Sequence, residues 1–148
     1  MGDQVAKTPR GRVIRQRDTP LFTAREGEQV FHATLTADTV GADGIGPERV
    51  SGGWYRIAPG VTNHLDMHPD RDEFYFIHKG TAVIDIGGET HTMTAGDTVF
   101  VPHGVDHFIA NGPDEPFELF YLFTPAPAPH PVRDAARYPV VEFRSPQD

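Results

Sequence analysis

From Val30 to Phe123 the chain never sustains a helical hydrophobic period. Short β-rich runs follow one another instead, each closed by glycine, proline, asparagine or aspartate. The runs fall at 30–36, 54–58, 64–68, 73–78, 81–86, 90–94, 98–101, 107–110 and 117–123. Gly87-Gly88 is a two-residue hairpin signal, and Asn111-Gly112-Pro113 marks a turn. About nine short strands at this spacing predict an all-β fold, a double-sheet barrel or jelly roll. No internal repeat is visible, so one barrel is expected.

A length of 148 residues fits a single domain, and such a chain buries about 68–70% of its unfolded surface. The formal charge of −8 argues against a general nucleic-acid or anionic-membrane surface. Lys7, Arg10, Arg12, Arg15 and Arg17 are a local exception and make residues 1–17 a basic, flexible N-terminal tail. There is no cysteine, no apolar run near 18 residues and no signal-peptide-like stretch, so a cytoplasmic location is expected.

The barrel is expected over 18–124. Residues 125–148 open with alternating prolines and read as an extended strap, then one or two helical turns and a short edge strand. Either 19–22 or 140–143 is the candidate for exchange with a second copy in a homodimer that covers exposed strand edges. The glycine-rich stretch 37–53 reads as a long loop or a lid.

Alternate residues of a strand share a face, so His64, Asp66 and His68 are expected on one side of 64–68. If 69–72 is a hairpin loop, His68 lies opposite Glu73, close enough to share one cation. Tyr75 follows Glu73 in phase, and His107 enters from a distant run. Two inward carboxylates must find a cation, bind a metal or take up a proton. The expected cofactor is one divalent transition metal (Fe, Mn, Ni or Zn) held by His68, Glu73 and His107. Asp66 is either a fourth ligand or a general base beside the substrate. The metal-free alternative is neutralisation by an inward arginine, with Arg56 the first candidate. His64 and Tyr75 are further catalytic candidates, and Arg56 and Trp54 are candidates for substrate contact. Core packing accounts for Trp54 without function and is the preferred reading of Tyr75.

Two motifs carry a family resemblance. Gly60-x5-Asp66-x-His68-x4-Glu73-x6-Gly80 resembles the first motif of the cupin superfamily, with aspartate where histidine is usual. Gly96-x5-Pro102-x-Gly104-x2-His107-x3-Asn111 resembles the second motif at every fixed position. The resemblance implies a double-stranded β-helix and a metal site at the barrel mouth. Cupins include oxygenases, isomerases, cyclases, lyases and ligand-binding proteins, so the reaction stays open. The expectation placed first is an iron-type oxygenase acting on a small oxygenated or aromatic metabolite. A redox-neutral isomerase, cyclase or lyase comes second, and a non-enzymatic small-ligand-binding module third.

Overall fold

The computed structural model describes residues 11–19, 21–24, 27–36 and 47–126. A single 3-10 turn, Gln16–Asp18, precedes nine strands among these residues. They are β1 (Leu21–Ala24), β2 (Gln29–Leu35), β3 (Ser51–Ile57), β4 (Asp72–Lys79), β5 (Thr81–Ile86), β6 (Glu89–Thr94), β7 (Thr98–Val101), β8 (His107–Asn111) and β9 (Phe117–Thr124). A six-stranded sheet runs in the order β1-β2-β3-β9-β4-β7, and a three-stranded sheet runs β6-β5-β8. All pairings are antiparallel. The result is the all-β, two-sheet jelly-roll barrel that the run spacing predicted.

Strict alternation places the core. In β9, Phe117, Leu119, Tyr121 and Phe123 are buried, while Glu118, Phe120 and Leu122 lie on the other face. Ile57, Ile84, Ile109, Phe117 and Leu119 are almost fully enclosed. Burying each such side chain contributes about 1.5–3 kcal/mol. A one-residue slip of β9 would exchange its two faces, so this alternation also fixes register. Gly87 and Gly88, at φ 59° and 90°, make the tight turn from β5 to β6.

Three expectations change. Residues 64–68 do not form a ladder strand; Thr62↔Ala110 and Asp66↔His107 are isolated bridges. Glu73 pairs with Val101 and Phe123 instead of standing in a hairpin with His68. The 64–68 segment is held by the backbone of the second motif, which takes the hydrogen bonds a hairpin partner would have used. Second, Ser51, Gly52 and Gly53 belong to β3 and not to the preceding loop. Third, Trp54 and Arg56 occupy the outer face of β3, because the inward phase belongs to Tyr55 and Ile57. Leu21–Ala24 pairs with β2. Residues 37–46, the first ten residues and everything beyond Ala126 lie outside the described residues. The lid's first part, the tail's beginning, the strap and the 140–143 edge strand therefore lie outside too. Among the described residues, no helix is long and apolar enough to cross a membrane.

Candidate metal centre

His68, Glu73 and His107 are buried, and each offers a ligand atom within 4.8 Å of the others. Each arrives by a different route. Glu73 lies on β4, next to the edge of the large sheet, and is held by β7 on one side and β9 on the other. His107 begins β8 in the small sheet. His68 comes from the connecting segment, where its carbonyl accepts the Gly104 N–H at 2.7 Å. The second motif thus fixes the first.

The donor set fits a divalent ion. Glu73 Oε2 lies 2.9 Å from His68 Nε2 and 3.3 Å from His107 Nε2. Yet Glu73 Oε2 and His107 Nε2 are buried without a properly angled hydrogen-bond partner. Buried polar atoms left this way cost stability unless something joins them, and a shared cation does. His107 Nδ1 stands 3.0 Å from the Val105 carbonyl. Donation of its proton there leaves the Nε2 lone pair free, the arrangement that metal-binding histidines use. His68, Glu73 and His107 are therefore a buried triad capable of coordinating a divalent metal ion.

The carboxylates stay ionised. Burial pushes Glu73 up, but its contacts with His107 and His68 outweigh burial and leave it below its ordinary value. The same pairing has the opposite effect on His107, where burial lowers the imidazole and Glu73 more than restores it, leaving it raised. Asp66 follows Glu73: burial raises it, while the His64 and His68 contacts and the Met67 N–H bring it to about 2. Tyr75 is buried behind Glu73, and burial together with that carboxylate holds its phenol well above the ordinary value. The phenol therefore stays protonated.

Asp66 stands beside the triad. Its Oδ2 is 3.5 Å from His64 Nε2 and 3.7 Å from His68 Nε2, and its Oδ1 accepts the Met67 N–H at 2.9 Å. His64, Asp66, Tyr75 and the triad all line one cavity of about 200 Å³. Its walls are aromatic: Phe31, Tyr55, Tyr121 and Phe123, with Phe31 and Tyr55 stacked at 4.3 Å. Trp54 and Arg56 do not line it. Trp54 packs edge-on against His78 and Phe120 on the outer face, and Arg56 is exposed.

Among the described residues, the arginine lining the cavity is Arg71, which sequence reasoning placed in a turn and passed over. Asn63 was also missed. It lines the cavity, accepts the Ile109 N–H at 2.7 Å and reaches the Tyr55 hydroxyl at 3.4 Å. No strand pattern covers either residue, so phase could not point to them. Arg71's position in the loop between the two first-motif ligands was the one signal available.

Comparison with known proteins agrees with this geometry. The family model for the cupin domain matches residues 53–133, more than half of the chain. The xanthan biosynthesis protein XanB of Xanthomonas campestris is 35% identical over 63 residues, which is 43% of this chain and 14% of that protein. The matched segment is thus a small part of the length of that relative. The polyketide synthase CurC of Streptomyces cyaneus is 27% identical over 150 aligned residues, covering 92% of this chain and 91% of CurC. Among solved structures, the polyketide cyclase RemF of Streptomyces resistomycificus superposes with a TM-score of 0.63 at 18% identity, covering 78% of this chain and 80% of RemF. At that identity the likeness shows the fold.

Proposed function

This chain belongs to the cupin family, and we propose that it is a metal-dependent, redox-neutral cyclase or isomerase acting on a small aromatic or polyketone metabolite. The observation that carries the reading is the His64–Asp66 pair beside the triad, inside a cavity walled by aromatic rings. The end-to-end similarity to CurC supports a substrate of polyketide type. This reading takes precedence over an oxygenase because His64 and Asp66 line the cavity in addition to the three ligands.

A divalent ion held by His68, Glu73 and His107 would supply Lewis-acid polarisation of a carbonyl. The other residues would handle position and protons. Asp66 at about 2 is too acidic to be an effective base near neutrality. We assign it to orient His64, whose imidazole is the side-chain type suited to exchange protons at that pH. His64 would remove a proton from the carbon next to a substrate carbonyl. The electron pair released forms the new carbon–carbon bond to a second carbonyl of the same molecule, and His64 returns the proton to the resulting alkoxide. Phe31, Tyr55, Tyr121 and Phe123 would hold the folded substrate and exclude water.

One observation favours a second reading. Two histidines and one carboxylate without a bound fourth side chain are the donor set of non-haem Fe(II) oxygenases. The test is turnover of a poly-β-ketone or phenolic substrate panel by metal-loaded protein, with and without O2. Product of unchanged oxidation state, formed equally without O2, supports the cyclase. Strict O2 dependence supports the oxygenase, and no turnover in either arm leaves a ligand-binding module.

A further inference from the structure

Arg71 does something unusual for a turn arginine. Its side chain is 15% exposed, its guanidinium lies 4.9 Å over the Phe123 ring, and it lines the same cavity as the triad. Nη1 meets Asp70 Oδ1 at 3.1 Å, but Asp70 is 70% exposed and the pair is screened by solvent. Nε is buried with no hydrogen-bond partner. Nη2 lies 2.9 Å from Nδ1 of His68.

That last contact conflicts with a loaded metal site. Guanidinium nitrogens only donate, so Nδ1 of His68 must accept here. When Nε2 of His68 coordinates a metal, the neutral ring carries its proton on Nδ1, and the two groups become facing donors. Loading the site therefore releases Nη2 from His68. An arginine that is nearly buried, with Nε already unpartnered and Nη2 newly released, needs an acceptor. Charge counting names the kind. A divalent ion matches the charge of the Asp66 and Glu73 carboxylates, and among the described lining residues Arg71 adds one further positive charge.

We propose that Arg71 is the anion-binding residue of this cavity, recognising a single carboxylate or similarly planar oxyanion on an aromatic ligand, and that metal loading frees it for that role. The planar fork of arginine matches two oxygens of such a group, and the Phe123 ring beneath it fixes the fork's plane. The proposal rests on the metal-dependent reading of the site and adds the charge of the substrate.

The test uses full-length protein loaded with zinc, with metal content measured in every preparation, and titrates it calorimetrically with benzoate and with the neutral isostere benzamide. Wild type should bind benzoate at least about tenfold more tightly than benzamide, the scale of a charge-assisted hydrogen bond. Arg71→Gln should bring the two affinities together while retaining zinc, and Arg71→Lys should keep part of the preference. Any direct bond from benzoate to zinc persists in Arg71→Gln, so the loss of preference isolates the guanidinium. Wild type showing no benzoate binding or less than tenfold preference overturns the proposal, whatever the folding of the variants. So does an undiminished preference in Arg71→Gln. Failure of zinc to bind would instead be seen in the metal analysis, and failure of the cyclase reading in the turnover panel.

Discussion

Asp66 and His107 exchange both of their backbone hydrogen bonds, each at 2.9 Å, across an isolated bridge between the two motifs. With the Thr62↔Ala110 bridge and the Asn63–Ile109 hydrogen bonds, this pair ties the segment carrying His64, Asp66 and His68 to the strand that begins with His107. It explains how ligands about forty residues apart in sequence hold fixed positions without a continuous ladder between them. The backbone of Asp66 is thus structural, which leaves its side chain free for chemistry.

Asp66→Asn separates these two roles. The bridge is made by main-chain atoms and survives, and the triad keeps all its ligand atoms. Metal stoichiometry should stay near wild type, while turnover falls at least about tenfold because an amide cannot orient a protonating His64 as a carboxylate does. Metal analysis and kinetics on one preparation check both. Loss of metal together with activity would make Asp66 a ligand, the other role considered for it.

Glu73→Gln should have the opposite signature. The amide matches the carboxylate in shape but lacks its charge, and Glu73 is the carboxylate that both histidines face. Metal affinity should drop by more than the roughly 10–100-fold typical of losing a partner outside the ligand set. Competition against a chelator of known affinity measures this directly. Retention of wild-type affinity would remove Glu73 from the site.

Most of the architecture was legible because strands of alternating burial write their period into the sequence; β5 and β7 have the predicted ends. The triad was legible from motif spacing. What failed was the route. Pairing of 64–68 with its sequence neighbour was the local choice, and the distant second motif took those hydrogen bonds instead. Trp54 and Arg56 were drawn towards the site by residue type, although β3 gives its inward phase to Tyr55 and Ile57. Arg71 escaped notice because turn arginines are ordinarily solvated.

Gly52 and Gly53 show why the start of β3 looked like loop. Glycine is disfavoured in strands, yet a Cβ on Gly53 would run into the His32 carbonyl, and one on Gly52 into that of Tyr121. Both obstacles are backbone and cannot swing away. Gly53→Ala should destabilise the fold by about 1–3 kcal/mol or more, read as a lowered urea midpoint with an unchanged slope. An alanine variant as stable as wild type would mean that β2 and β3 are spaced more widely than described.

Acid and chelation should act through one pair of groups. Glu73 raises His107, so in metal-free protein the imidazole takes up its proton above the ordinary value near 6.5. Coordination needs the neutral ring, so metal affinity should fall as pH drops through and below neutrality, by about tenfold per pH unit for each proton displaced. The sign reverses for the metal-free fold. A raised histidine contributes stability that is complete below its unfolded value and is lost as pH rises through its folded value. Chelated protein should therefore melt at a lower temperature at pH 8 than at pH 6. Protein held with metal at about a hundredfold over its dissociation constant should gain roughly 2.7 kcal/mol at pH 8, or about 5–10 °C for a chain of this size. Melting curves at the two pH values, with and without chelator, give all four points. His107→Gln should abolish both the metal-induced gain and the pH trend of the chelated protein, whereas persistence of either would assign it to other groups.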